Sequence, residues 1–308
     1  MRFDAFLSHS RRALALGATA LVLAGCSSSG APAPAPSATT TSSPTPTTSA
    51  TDAAFSALEE DFDARLGVYA IDTGTGEEVT WRAEERFAFA STYKALAAGA
   101  VLDAVGLDGL DETVMFYGKT LVEYSPITEK YADVGMTIGE LADAALRYSD
   151  NTAGNMLFRV LGGPEGFDDA LEALGDDVTE SVREETELNA AERDETLDTS
   201  TPEALATDLR AYVLDDVLTE EERAVLTDWM VRNTTGDTLV RAGVPDDWTV
   251  ADKSGSARYG TRNDIAVVWP PDGDPIVLAI LSDRDTADAE RDDALIARAT
   301  EAAIAALR

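Results

Sequence analysis

Histidine is almost missing from this 308-residue chain. His9 is the only one, and Cys26 is the only cysteine. Beyond residue 26 the sequence therefore has no imidazole and no thiol. That excludes a Ser-His-Asp triad, a cysteine nucleophile, a disulfide framework and nearly every zinc site from the body of the protein. Basic residues are scarce too: 24 Lys and Arg stand against 57 Asp and Glu, for a formal charge of −33. Binding to nucleic acid runs on Lys and Arg, so this balance argues against it, and equally against docking to an anionic membrane surface. There are four lysines, Lys94, Lys119, Lys130 and Lys253. Hydrolytic chemistry is left to Ser, Thr, Tyr, Lys, Asp and Glu. The 44% apolar content is enough for a sizeable core.

The amino-terminal residues have a different composition. Arg2, Arg11 and Arg12 precede an apolar run over 13–23 that is too short to span a bilayer, so residues 1–25 read as an export signal. The run ends in Leu23-Ala24-Gly25-Cys26, which resembles the lipobox of bacterial lipoproteins, where cleavage follows lipidation of the cysteine. A plain secretory signal is the simpler alternative. Ser10-Arg11-Arg12 leaves the general and the twin-arginine export routes both open. Residues 27–52 are almost wholly Pro, Ala, Ser and Thr, a composition that cannot offset the entropy of ordering. The expected order is a lipid anchor on Cys26, a linker over 26–52, and one folded domain over 53–308. Attachment to the membrane is expected only through the lipid, on the outer face of the cell membrane.

Within that domain Phe55, Leu58, Phe62 and Leu66 recur at helical spacing and predict a helix over 53–66. A hairpin is expected from 67–73 and 78–82, and β-rich runs from 264–269 and 275–281. A long Ala-rich helix is expected over 286–307, and the middle of the chain is mostly helical in pattern. The fold class expected is α/β plus all-α. An antiparallel sheet, flanked by the N- and C-terminal helices, is built from about 53–88 and 232–308. A large helical insertion, about 89–231, carries half of the active site.

Three short motifs carry the chemistry. In Ser91-Thr92-Tyr93-Lys94 the spacing of three puts the hydroxyl and the ammonium on one helix face, with Ser91 at the helix N-terminus. Lysine can then assist a serine nucleophile without histidine. The plainer alternative is a capping serine and a solvated lysine. Ser149-Asp150-Asn151 offers a hydroxyl, an acid and an amide in a row, or else an Asx-type turn. Lys253-Ser254-Gly255 offers a cation, a hydroxyl and close backbone approach, suited to a substrate carboxylate along a strand edge, or else a turn. Each alternative is respectable singly; all three motifs in this order are not a chance arrangement.

With these residues the chain resembles the class A serine β-lactamases, over nearly all of 53–308. The stretch Arg183-Glu184-Glu185-Thr186-Glu187-Leu188-Asn189 is similar to the start of that family's Ω-loop. The resemblance implies hydrolysis of the β-lactam ring, and antibiotic resistance, by a monomer needing no cofactor and no metal. It implies Ser91 as acylated nucleophile and Lys94 as proton-transfer partner. Ser149 relays a proton to the leaving nitrogen, and Glu185 is the deacylating base. Asn189 helps hold the hydrolytic water, Asn151 contacts the substrate amide, and Tyr124 walls the pocket. Lys253, Ser254 and Arg262 would take the carboxylate along the Gly255 strand, while the N–H groups of Ser91 and Ser256 form the oxyanion hole. Asp150 is structural, and Arg183 with Asp198 closes the loop. Thr186 departs from the family's usual proline, and Ala90 and Ala257 stand where some carbapenem-hydrolysing members carry a disulfide. A D,D-peptidase or penicillin-binding esterase and a non-catalytic cell-wall-binding lipoprotein are the competing readings.

Overall fold

The computed structural model describes residues 49–308 apart from residue 194. The export signal, the lipobox with Cys26 and most of the linker lie outside the described residues. In chain order, helix α1 (Ala50–Phe62) leads into strands β1 (Arg65–Asp72), β2 (Glu78–Trp81) and the short β3 (Phe87–Ala88). Helix α2 (Tyr93–Gly109) is followed by the two-residue strands β4 (Thr113–Val114) and β5 (Met136–Thr137). Then come α3 (Ile138–Arg147), α4 (Asn151–Leu161), α5 (Pro164–Leu174), β6 (Thr199–Ser200), α6 (Pro202–Val213) and α7 (Glu220–Val231). The chain closes with β7 (Thr249–Ser256), β8 (Arg262–Trp269), β9 (Ile276–Asp283) and α8 (Asp293–Leu307). Among the described residues no helix is long and apolar enough to cross a membrane.

Five strands form one antiparallel sheet in the order β2-β1-β9-β8-β7, which joins the two ends of the chain. Every residue of β9 is buried, and the period of two explains how. Val277, Ala279 and Leu281 point into the core shared with the helices, and Ile276, Leu278 and Ile280 into a second core under α1 and α8. The same alternation in β7 sends Val250 into the second core and Ala251 into the core shared with the helices. Lys253 shares parity with Ala251, so a lysine is turned into the protein toward the helical half. A strand buried on both faces loses the alternation that marks a half-exposed one, which is why β8 and β9 read as β-rich without a visible inner face and β7 gave no strand signal.

Several expected boundaries move. Helix α1 begins at Ala50, capped by Ser49 and Asp52 in a reciprocal box, so the end of the expected linker is helical. It stops when Asp63 turns left-handed, and Leu66 belongs to β1 opposite Ser282. Spacing alone could not separate Leu66 from the stripe of α1. The last helix starts at Asp293 rather than 286, with Asp292 as its cap. Residues 286–292 offer two alanines and otherwise polar side chains, so there is no apolar stripe to bury. The expected helical middle also contains the small strand pair β4 with β5, and strand β6, which pairs with β3 at the end of the sheet part. The Lys253 motif is itself strand, at the sheet edge, rather than a segment before it.

Candidate active site

The site forms where the sheet edge meets the helices. Ser91 sits in a single 3₁₀ turn (Ala90–Thr92) leading into α2, one step before the helix proper. Thr92 Oγ1 donates to Phe89 O at 2.7 Å, and Asn263 Nδ2 on β8 donates to Ala88 O at 2.8 Å, so the turn is tied to the sheet. Strand β7 passes close by. A Cβ on Gly255 would come within 3.1 Å of Phe89 O and 3.2 Å of Ala90 Cβ, which accounts for glycine there. Three non-glycine residues around the site, Ala90, Tyr124 and Ser149, have φ of +48°, +61° and +55°. Such backbone is sparsely populated and gathers at functional sites.

One turn after Ser91, fully buried Lys94 places Nζ 2.9 Å from Ser91 Oγ, 2.7 Å from Asn151 Oδ1 and 3.1 Å from Ser149 O. Its carboxylate partner is Glu185 Oε1 at 2.8 Å. This is possible because α4 approaches α2 at Gly154, where a Cβ would lie 2.8 Å from Lys94 Cε. Burial lowers the Lys94 pKa, and the charge of Glu185 opposes that shift. Ser91 Oγ also stands 3.3 Å from Glu185 Oε1, while Asn189 Nδ2 donates to Glu185 Oε2 at 2.6 Å. One serine oxygen thus has a buried ammonium and a buried carboxylate within reach.

Across the cleft, buried Lys253 donates to Ser149 Oγ at 3.1 Å and to Ser254 O at 2.7 Å. Burial and the nearby Lys94 charge lower its pKa to about 7, against the pull of Asp252 and Asp264. Ser254 Oγ pairs with Thr235 Oγ1 at 2.7 Å. Arg262 is anchored by Asp293 at 2.7 Å. Ser91, Tyr124, Ser149, Asn189, Ser254 and Arg262 face a common cavity of about 490 Å³, with Asn151, Gly255 and Ser256 in the same wall. Lys94, Glu185 and Lys253 stand behind that wall.

Asp150 does not face the cavity. It caps α4 through Ala153 N at 2.9 Å and accepts from Ile127 N, Thr128 N and Thr128 Oγ1 at 2.8–2.9 Å. Arg183 and Asp198 close a loop: the guanidinium bonds to the Asp198 carboxylate, which also accepts Val182 N and Arg183 N at 2.9 Å. The residues proposed from separate stretches of sequence therefore converge.

The comparisons agree with this geometry. A family model described as the beta-lactamase enzyme family matches residues 50–307. The chain belongs to the class A serine β-lactamases. It is 56% identical over 253 residues to a β-lactamase of Bacillus licheniformis, covering 82% of each chain. To β-lactamase FAR-1 of Nocardia farcinica it is 50% identical over 306 residues, 98% of each. The solved class A β-lactamase of Clostridium kluyveri superposes with a TM-score of 0.82 at 52% identity, over 83% of this chain and 97% of that one. A halotolerant bacterial β-lactamase superposes with a TM-score of 0.81 at 55% identity, over 82% and 98%.

This β-lactamase also uses residues that sequence reading missed. Asn155 on α4 grips the Glu185 backbone twice, donating to its O at 2.9 Å and accepting from its N at 2.8 Å. Its place four residues after Asn151, on the same helix face, was the available signal. Thr235 and Arg291 line the same cavity and Asp293 anchors Arg262, all from distant segments that carried no local signal. Tyr93, between Ser91 and Lys94, is buried with its hydroxyl unpartnered; burial first, then the Glu185 and Glu184 charges, push its pKa well up. The peptide joining Glu185 to Thr186 is cis.

Proposed function

We propose that the enzyme opens the β-lactam ring by forming an acyl-enzyme on Ser91 and is freed by Glu185-assisted hydrolysis, which gives the cell resistance to these antibiotics. The observation that carries this reading is the placement of Ser91 Oγ between Lys94 Nζ at 2.9 Å and Glu185 Oε1 at 3.3 Å, with the other Glu185 oxygen held by Asn189. In acylation Ser91 Oγ attacks the lactam carbonyl carbon, and its proton passes to Lys94 or, through a water, to Glu185. The C–N bond breaks, and Ser149, beside Lys253, relays a proton to the departing nitrogen. In deacylation a water adds to the ester carbonyl and gives its proton to Glu185. The ester bond breaks, and Ser91 Oγ recovers a proton. General-base help of this kind is worth about 10²–10⁴ in rate.

Around the reacting atoms, the backbone N–H groups of Ser91 and Ser256 form the oxyanion hole. Lys253, Ser254 and Arg262 bind the substrate carboxylate, Asn151 its side-chain amide, and Tyr124 covers it. The enzyme acts as a monomer outside the cell, tethered by a lipid on Cys26. Loss of labelled fatty acid in Cys26→Ala, with retention in the parent, tests the tether; equal labelling in both rejects it.

The purified protein, mixed with a chromogenic cephalosporin, should complete many turnovers per active site. A single stoichiometric burst would support a penicillin-binding D,D-peptidase instead, and no reaction a binding module.

A further inference from the structure

The loop closed by Arg183 and Asp198 holds Glu185 near one end and Asn189 in its first half. Among the described residues of its second half, Glu192, Arg193, Glu195 and Thr196 are exposed, and Ala191 and Leu197 are the apolar ones, both half-buried. Beneath it lies a cavity of about 450 Å³, whose wall includes Phe87, Ala191, Thr196, Tyr259 and Asp283. The height of this part of the loop therefore depends on polar ties to the sheet. A single side chain supplies most of them. Arg193 Nη1 lies 3.0 Å from Asp283 Oδ1 at the end of β9, and Nη2 donates to the carbonyl of Arg284. The Arg193 guanidinium also stacks 4.7 Å from the ring centre of Tyr259, in the turn between β7 and β8. Asp283 is an anchored partner, because its side chain is buried and Arg65 holds it at 2.6 Å. Next to Tyr259, Arg258 N donates to Asn189 O at 3.2 Å, so the turn that receives Arg193 also carries the peptide of Asn189. The second ionic tie, Arg258 to Glu192 at 3.3 Å, is exposed at both ends and holds the loop weakly.

We propose that Arg193 is a positioning residue for deacylation: bolting the loop to Asp283, Arg284 and Tyr259, it sets the distance of Glu185 and Asn189 from Ser91. This rests on Glu185 being the deacylating base. Acylation can pass the Ser91 proton to Lys94, and uses Ser149, both off the loop, whereas deacylation has only Glu185 as its base, with Asn189 beside it on the loop. Loosening the bolt therefore slows the second half of the reaction and leaves the first. A misplacement of about 1 Å can cost up to roughly 100-fold in rate.

Steady-state kinetics with a penicillin, together with quenched intact-mass analysis of the protein, test the proposal. In Arg193→Ala, kcat and KM should fall together by about tenfold, kcat/KM should stay within about twofold, and acyl-enzyme should accumulate. Arg193→Lys, which keeps the charge opposite Asp283 but loses the fork, should fall between it and the parent. Amide hydrogen exchange over 187–197 should accelerate in Arg193→Ala. A fall in kcat at constant KM, no acyl-enzyme, or unaltered exchange would overturn the proposal. Glu185→Gln serves as the control. If it accumulates acyl-enzyme and Arg193→Ala does not, only the role of Arg193 fails; if it does not, the reading of Glu185 fails with it.

Discussion

Glu185 and Asp208 are both buried acids of the helical half, 2% and 1% exposed, in opposite surroundings. Glu185 meets an ammonium at 2.8 Å and an amide at 2.6 Å. Asp208, on α6, faces Asp176 just past the end of α5, and one oxygen of each carboxyl is buried without a partner. The other Asp176 oxygen is taken by Val178 N at 2.7 Å and Thr179 N at 3.0 Å. Burial, with the Asp176 charge added, pushes the Asp208 carboxyl up to about 9. A buried carboxyl needs either donors or a proton. At Glu185 the fold supplies donors; at Asp208 a proton takes their place.

Removing the partnered acid should have the largest effect. Glu185→Ala should still be acylated by a penicillin, but turnover should drop by about 10²–10⁴ and the acyl-enzyme should persist in mass spectra. Unchanged steady-state turnover would end the comparison, because Glu185 would then be no more functional than Asp208.

Replacing the unpartnered, protonated acid by its amide should do the reverse and stabilise the fold. The Asp208 pKa is raised on folding, so its contribution to stability is fully present below the unfolded value near 3.8 and declines as pH rises toward about 9. Over that window the unfolded chain releases a proton that the folded chain keeps. Asparagine has no such dependence. Asp208→Asn should therefore raise Tm by several degrees at pH 8 and by less at pH 5, since about 1 kcal/mol shifts Tm by roughly 2–4 °C at this size. Equal Tm shifts at both pH values would mean that Asp208 is not held protonated.

The contrast between these two acids also marks how far the sequence is readable. Ser91, Lys94, Ser149 and Lys253 were legible because short motifs carry their own chemistry: a hydroxyl and an ammonium three apart on a helix, a hydroxyl, an acid and an amide in a row, or a lysine beside a hydroxyl and a glycine. Glu185 was legible only through family resemblance, since its acidic stretch otherwise looks like a solvated loop. Asp208 had no signal at all. It is one of 57 acidic residues, and its burial depends on α5 and α6 meeting, which no local pattern encodes. Asp293 is likewise tied to Arg262 across 31 residues. The sheet and helical halves were legible as composition, but the start of α8 was not, because alanines at 287 and 289 mimic helix among side chains that stay polar.

Lys253 extends the comparison to a buried cation with no carboxylate in direct contact. Burial and Lys94 lower its pKa to about 7, so its charge is present below that pH and lost above it. KM for a penicillin should rise by a few fold between about pH 6.5 and 8.5 as the ammonium loses its proton. In Lys253→Arg that rise should flatten, because guanidinium stays charged throughout. A KM equally independent of pH in the parent would show that substrate binding keeps Lys253 protonated across the range.

The smallest effect separates the site from the rest of the molecule. An anionic drug approaches a chain of net charge −33, yet the proposed binding place is where Lys94, Lys253 and Arg262 lie close together. The two fields act over different distances. The global repulsion comes from exposed acids many ångströms away, and salt screens it once separations exceed about 10 Å at 0.1 M. The local attraction acts within bonding distance inside a cleft that screening reaches less. Ionic strength should therefore weaken repulsion more than attraction, and KM should fall by up to about twofold as salt rises from low to physiological. A KM that climbs steeply with salt would mean that the basic trio projects its field well beyond the cleft, and that the acidic surface does not govern approach.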